Sequence, residues 1–276
     1  MIDPTLFAEP QALDRVQHRS LRLKPSPTRY DRTAGMNALF ITAIEFGDVC
    51  REYPIVFIEA GQTDGQREVA PMAVLGLEQG ENLMLGADGG WGARYTPAIL
   101  RGYPIGLARV DEGNYALCVD AKAGALSTDE GERLFDDVGE PTPFLDECRK
   151  FAEEVEGQAQ RTRLFGRRLV ELDLLRSMRF DANLPDGNKI TVDGFLALDE
   201  EKLGALPDAT VLDLHRSGVL SLIHAHQISL GLMRALVERR LARRVTAYPC
   251  RAAGSSSQAI ATAYDITPPR MHHQAA

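Results

Sequence analysis

The feature that most constrains the fold is a change of periodicity near residue 142. Beyond it, apolar residues recur at steps of mostly three and four, which places them on one face of a long helix. They are Phe144, Cys148, Phe151, Val155, Ala159, Phe165, Leu169 and Leu172. Thr142 and Pro143 supply an N-cap and a proline at the first helical position. The sequence therefore predicts a long helix that begins at Pro143.

Before that point, short apolar runs alternate with turns rich in glycine, which is typical of antiparallel strands. The clearest runs are residues 39–41, 55–58, 72–77, 83–85, 105–110 and 115–119. After the long helix we expect a strand pair joined at Asp193–Gly194, then two helices over 208–215 and 219–244. The predicted fold class is α+β, mainly antiparallel sheet in the N-terminal half and helices in the C-terminal half.

The chain of 276 residues is long enough to bury a core without disulfides. We expect a single α+β domain over residues 1–244, rich in strands over 30–125 and rich in helices over 142–244. From Val245 onward the periodicity decays into serines and prolines. That pattern predicts a mobile tail over 245–276.

The balance of charges argues against nucleic-acid binding. The chain carries 31 basic and 39 acidic residues, a net charge of -8, whereas a phosphate backbone must be met by excess Lys and Arg. One basic cluster closes the predicted last helix: Arg234, Arg239, Arg240, Arg243 and Arg244. We interpret it as favourable charge at the negative end of the helix dipole, and an acidic partner is the alternative.

Four isolated cysteines indicate a reducing compartment: Cys50, Cys118, Cys148 and Cys250. None belongs to a C-x-x-C pair, so we expect free thiols. The first residues show neither the basic leader nor the apolar stretch of a signal peptide. No run of about 18 apolar residues occurs. We therefore expect a cytoplasmic protein that does not insert into a membrane.

Most catalytic signatures are absent from the sequence. It contains no P-loop, no G-x-S-x-G elbow and no H-E-x-x-H motif. Residues 86–92 are rich in glycine, but Trp91 interrupts them and no helix is predicted to follow, which argues against a phosphate loop.

Histidines in the C-terminal helices are the best metal candidates, and their spacing argues against a metal site. On one continuous helix His224 and His226 would point about 200° apart, and His215 would lie about 16 Å from His226. A zinc ion needs its ligands within about 2.1 Å. A chain reversal at Gly218 is the arrangement that would bring His215 back. We predict no metal and no cofactor.

Several strings of residues resemble the SapC family. They are His18-Arg19-Ser20-Leu21-Arg22-Leu23, residues 53–57, the Trp91-x-x-x-Tyr95-x-Pro97-x-x-x-Arg101-x-Tyr103-Pro104 pattern, residues 134–136, residues 139–142, residues 214–218 and Ala225-His226. The resemblance runs from about His18 to Arg240, and His224 departs from it because the family often has Tyr there. The resemblance implies a role in making or exporting bacterial surface-layer protein. It also implies that the protein is encoded beside outer-membrane receptors, flavin-dependent tryptophan halogenases and cupin-like enzymes. It names no catalytic residue.

Two functions from different classes follow. The first is a non-enzymatic accessory protein in surface-layer protein export or a surface-associated uptake system, which binds a protein or peptide partner. The second is an enzyme of unknown reaction that modifies a small molecule or a peptide. The lack of a catalytic signature favours the accessory function, and a homo-oligomer stays open.

The candidate binding site consists of residues that neither helix nor strand periodicity requires. They are Trp91, Tyr95, Arg101, Tyr103, Asp120, His215, Arg216 and His226. Arg can hold a carboxylate, aromatic rings can stack on a ligand, and His or Asp can move protons. Because a buried histidine needs a hydrogen-bond partner, we expect His226 to meet the segment 91–103. The alternative is that Arg101 and Asp120 pair at the surface and the aromatic residues belong to the core.

Overall fold

The structure, a computed structural model, describes residues 2–26, 30–63, 65–111, 113–184 and 187–247, with the backbone alone for 244–247. The strands are β1 (Pro10–Ala12), β2 (Arg22–Leu23), β3 (Ala38–Phe40), β4 (Ile55–Thr63), β5 (Gln66–Val74), β6 (Ile105–Asp111), β7 (Asn114–Asp120), β8 (Leu126–Ser127), β9 (Glu132–Arg133), β10 (Leu175–Asn183) and β11 (Lys189–Leu198). The helices are α1 (Phe46–Val49), α2 (Ala98–Gly102), α3 (Pro143–Glu171), α4 (Glu200–Gly204), α5 (Asp208–Arg216), α6 (Val219–Ser229) and α7 (Met233–Ala247). Short 3₁₀ helices cover Asp31–Thr33, Ala43–Glu45 and Leu230–Leu232.

The strands form three antiparallel sheets. The largest has the order β10-β11-β4-β5-β3, and two three-stranded sheets have the orders β1-β7-β6 and β8-β2-β9. Sheet dominates the N-terminal half, and α3 and α5 to α7 lie in the C-terminal half. The predicted α+β class is confirmed.

Helix α3 begins at the predicted residue and runs without a break. The Thr142 hydroxyl accepts a hydrogen bond from the Leu145 amide at 3.3 Å, and Pro143 follows the cap. Gly166 lets the helix approach the large sheet, because a Cβ there would lie 2.7 Å from the carbonyl oxygen of Val69. Phe165 then packs on Phe57, with ring centroids 6.0 Å apart. The C-terminal part of the apolar stripe thus packs against β4 and β5.

The two faces of the large sheet differ in what covers them. Phe57 in β4 contacts Phe165 of α3 and His226 of α6, so its face lies under the helices. Successive side chains of a strand point to opposite faces. Val56 and Ile58 therefore point to the other face, where they line a groove.

Two parts of the predicted C-terminal pattern are wrong. Residues 193–194 are not a hairpin turn: they lie inside β11, which pairs with β10. The register shifts there, since Phe195 lies opposite Met178 and Val192 lies opposite Phe180. Gly194 has φ +77°, and glycine with positive φ serves a bulge as well as a tight turn.

The predicted helix over 219–244 is divided into α6, a 3₁₀ turn at 230–232, and α7. The helix predicted over 208–215 matches α5, and Gly218 separates it from α6 with φ +78°. Residues 83–85 are not a strand, and Leu85 makes an isolated antiparallel bridge with Trp91.

One hydrophobic cluster joins buried residues from Leu6 to Leu236, and a smaller cluster contains Ile105, Leu134, Phe135 and Leu145. The single domain over 1–244 stays a prediction. Of the predicted tail, residues 245–247 continue α7 and residues 248–276 lie outside the described residues. No helix in the described ranges is long and apolar enough to cross a membrane. Cys50, Cys118 and Cys148 are free thiols, and Cys250 lies outside the described residues.

Candidate functional site

Glu45 holds the segment that precedes α2. Its side chain is buried, and one carboxylate oxygen accepts bonds from the Thr42 amide at 2.8 Å and the Thr42 hydroxyl at 2.7 Å. The other oxygen accepts from the Tyr95 hydroxyl at 2.9 Å and from the Ala98 amide at 2.7 Å. The carboxylate therefore caps one helix and anchors the start of the next.

Glu52 and Tyr53 hold the same segment from the end of the α1 region. The Glu52 carboxylate accepts bonds from the amides of Arg94 and Tyr95, at 2.8 and 2.9 Å. The Tyr53 hydroxyl donates to the Tyr95 carbonyl and accepts from the Trp91 indole nitrogen at 2.7 Å. Burial raises the pKa of Tyr53, so this hydroxyl stays protonated and can donate.

Arg101 lies on the exposed side of this segment. Its guanidinium carbon lies 5.7 Å from the centroid of the Tyr95 ring and 5.3 Å from that of Phe151. Burial is the main cause that raises the pKa of Tyr95, and the Glu45 carboxylate adds to it. Trp91 packs on Tyr30 with ring centroids 5.4 Å apart. Trp91 and Tyr95 thus lie in one anchored segment, and Arg101 of α2 packs on the Tyr95 ring.

Tyr103 and Asp120 form a separate, fully buried pair. The Tyr103 hydroxyl donates to the Asp120 carboxylate at 2.8 Å, and Asp120 is 0 % exposed. The same carboxylate accepts from the amides of Ala8 at 3.0 Å, Glu9 at 2.9 Å and Lys122 at 3.2 Å. Burial alone would raise the pKa of Asp120, but these hydrogen bonds outweigh it and lower the pKa. The alternative of a surface pair between Arg101 and Asp120 is therefore wrong.

His226 lies between two strands of the large sheet and is 0 % exposed. Its Nδ1 is 2.8 Å from the Ile55 carbonyl oxygen, and its Nε2 accepts from the Leu198 amide at 3.1 Å. Because an amide can only donate, Nε2 is unprotonated and Nδ1 carries the hydrogen. Burial lowers the pKa of His226 to about 4, although the bond to Ile55 opposes this. The ring is neutral near pH 7.

The eight candidate residues fall into several places. His215 and Arg216 are exposed at the end of α5, while His226 is bound to the start of β4 at Ile55. The segment around Trp91 is bound to Tyr53, two residues before Ile55. His226 and this segment therefore approach residues that are close along the chain, Ile55 and Tyr53, and each has its own partners there. That all eight residues act as one site stays a prediction.

The structure shows that the basic cluster of α7 has internal partners. Arg239 donates to the Gly92 carbonyl at 3.2 Å, and Arg243 donates to the carbonyls of Asn82, at 2.7 Å, and Leu85. Arg240, which is nearly buried, forms ion pairs with Glu78 at 2.7 Å and Glu81 at 3.4 Å. These three arginines hold the loop 78–92 against α7. Within the described residues no group of three or more His, Cys, Asp or Glu is placed to hold a metal ion.

Sequence reasoning missed a groove on the face of the large sheet opposite Phe57, where residues 2–5 and Met233 at the start of α7 form part of the wall. The groove has a volume of about 560 Å³ and crosses β3, β5, β4 and β11. Its apolar lining includes Phe40, Val56, Ile58, Met72 and Phe195. The run 55–58 could have indicated the groove, because its side chains on both faces of the strand are apolar. Such runs occur where both faces of a sheet are covered. Helices cover one of these faces.

A family model of SapC matches residues 13–236. The comparisons with curated proteins and with solved structures found no match. The matched range includes all eight candidate residues and all of the groove except residues 2–5. The chain belongs to the SapC family.

Proposed function

We propose that this protein is a non-enzymatic accessory protein that binds an apolar segment of a protein or peptide partner in the groove of the large sheet. Its setting would be surface-layer protein export or a surface-associated uptake system, as the SapC resemblance implies. The single observation that carries the proposal is the groove of about 560 Å³.

The exposure of the groove residues supports binding. Phe40, Ile58 and Met72 are only half-buried, although they lie on strands of the largest sheet. Half-buried apolar side chains that share one groove leave part of their surface for a partner to cover. Each large apolar side chain that a partner buried there would contribute about 2 kcal/mol.

The state of the polar candidates supports binding rather than catalysis. Both ring nitrogens of His226 are occupied by backbone groups, and its neutral ring is sealed from solvent. Asp120 and Glu45 each accept four hydrogen bonds. A general base needs a free lone pair within reach of its substrate, and these three side chains do not offer one.

A binding experiment with one matched pair of variants tests the proposal. Peptides are selected from a phage library of random dodecamers on the full chain, and their Kd values are measured by fluorescence anisotropy. Ile58→Lys places a charge in the groove, and Ile228→Lys places the same charge on α6, where Ile228 is already 71 % exposed. We expect the groove variant to weaken binding at least about tenfold, since it loses an apolar contact and gains a buried charge.

The control variant Ile228→Lys should bind like the wild type, and circular dichroism should show that both variants are folded. Peptides that bind the groove variant as tightly as the wild type would contradict the proposal. In the native host, a photo-crosslinking amino acid at position 72 should trap a partner that the same group at position 228 does not.

A further inference from the structure

We propose that the partner segment binds as an added β-strand on the free edge of β3 and carries a basic residue. This inference rests on the proposed function and names the form and the charge of the ligand. It follows from the hydrogen-bond register of β3, the position of the groove and the charges around it.

The register of β3 against β5 decides which backbone groups face outward. The Asn37 carbonyl accepts from the Leu75 amide at 2.8 Å, and the Ile41 amide donates to the Pro71 carbonyl at 3.3 Å. In an antiparallel pair, bonded positions alternate with non-bonded positions along each strand. Residues 37, 39 and 41 therefore direct their backbone groups towards β5.

Ala38 and Phe40 occupy the alternate positions, opposite Val74 and Met72. Their amides and carbonyls point away from β5, and β3 is the last strand of its sheet. Across the described ranges of the chain, these backbone groups have no hydrogen-bond partner. Two donors and two acceptors thus lie in a row at a sheet edge, which is the template that an added strand requires.

The groove lies beside this edge and on a defined face. The side chains of Ala38 and Phe40 line it, together with Met72 and Val56 of the next two strands. On a strand added to β3, every second side chain would point to the same face. Main-chain bonds to β3 and alternate side chains in the groove would therefore act together. An extended partner meets both requirements, whereas a helix has no free backbone groups for the edge.

The charged residues of the groove select the charge of the partner. Asp3 and Asp193 line it, and no Lys or Arg is among its described lining residues. Asp193 is exposed, and Asp3 is half-buried with one carboxylate oxygen bound to Thr5. Like charges at such a rim repel and opposite charges attract, so the rim favours a partner with Lys or Arg over an acidic one.

Backbone methylation of the peptide provides the sharpest test. The tightest library peptide is synthesised in two forms, each N-methylated at alternate residues, so that each form loses every second amide hydrogen. If the peptide adds to β3, one form should lose at least about tenfold in affinity, and the other should bind nearly as the parent does.

A variant of the protein tests the same bonds from the other side. Ala38→Pro removes an outward amide hydrogen and leaves the bonds between β3 and β5 intact, and proline is tolerated at an edge whose amide faces solvent. We expect about tenfold weaker binding, whereas Ala38→Val, which adds similar bulk to the groove but keeps the amide, should weaken binding less than Ala38→Pro. Thermal denaturation checks that both variants are folded.

The possible outcomes separate this inference from the proposed function. If both methylated forms bind equally while Ile58→Lys still abolishes binding, strand addition is wrong and the groove function stands. If the selected peptides are not enriched in Lys or Arg, the part about charge is wrong. If no selected peptide depends on the groove, the proposed function and this inference are both wrong.

Discussion

The imidazole of His226 donates from Nδ1 to the carbonyl oxygen of Ile55 over 2.8 Å. Leu196 lies opposite Phe57 in the β11–β4 pair, so the same register places Leu198 opposite Ile55. The ring bonds to both of these residues, and it thereby links the two strands where the pair ends. One helical turn later, the Ser229 hydroxyl accepts from the Ile55 amide at 2.8 Å. Helix α6 therefore satisfies both backbone groups of Ile55.

We predict that His226→Ala lowers the free energy of unfolding by about 3 to 5 kcal/mol. The change leaves a buried amide and a buried carbonyl without partners and opens a cavity beside Phe57. Urea denaturation followed by circular dichroism measures it. His224→Ala is the matched control. His224 is exposed on the same helix, so this substitution should lower the free energy of unfolding by less than about 0.5 kcal/mol. A His226→Ala protein as stable as the control would refute the linking role.

The pH dependence of stability should report the same residue. The pKa of His226 falls from 6.5 to about 4 in the folded state, so between these values the unfolded state binds more protons. Stability from this group is therefore fully present above pH 6.5 and is lost as the pH falls towards 4, by about 3 kcal/mol. The difference in unfolding free energy between the wild type and His226→Ala should shrink across this window. A difference that stays constant with pH would contradict the neutral, buried ring.

Local patterns in the sequence predicted the parts of the fold that depend on neighbours along the chain. The Thr142 cap and the apolar stripe located α3, and the apolar runs located β4 and β6. The Asp193–Gly194 turn failed because glycine with positive φ is equally suited to a bulge inside β11. Only the pairing with another strand distinguishes a turn from a bulge, and that pairing cannot be predicted from neighbouring residues.

The candidate site likewise combines features that neighbouring residues predict with features that depend on distant ones. The need of a buried His226 for hydrogen-bond partners could be inferred from the apolar helix around it. Its actual partners are backbone groups of Ile55 and Leu198, which lie 171 and 28 residues away in the sequence. The groove depends on four strands from three parts of the chain, so no single window of sequence contains it. The sequence offered His226 as a candidate binding residue, whereas its buried position predicts a large effect on stability.

A third prediction uses Trp91, the only tryptophan of the chain. Tyr53→Phe removes the hydroxyl that accepts from the Trp91 indole and donates to the Tyr95 carbonyl. We expect a loss of about 2 kcal/mol in unfolding free energy and a shift in tryptophan emission, because the indole nitrogen loses its partner. Tyr115→Phe is the control: it removes a hydroxyl bonded to Gln160 at 3.0 Å. The emission of that variant should match the wild type, and equal spectra for both variants would show that Tyr53 does not hold the indole.

The last prediction concerns the N-terminal residues that pack on β7. The Asp120 carboxylate accepts from the amides of Ala8 and Glu9, and an asparagine would present a hydrogen donor to one of them. Hydrogen bonds to a charged group contribute about 1.5 to 3 kcal/mol, so Asp120→Asn should release this segment before it unfolds the whole chain. Hydrogen exchange should rise in residues 6–12 and stay unchanged in α3. Asp129→Asn, in the exposed loop between β8 and β9, should leave exchange at residues 6–12 unaltered.

Since hydrogen bonds lower the pKa of Asp120, its contribution is present above the usual aspartate pKa of 3.8 and is lost as the pH falls below it. The loosening of residues 6–12 in the wild type should therefore begin only at a pH below that value, and a protected segment in Asp120→Asn would show that other contacts hold it.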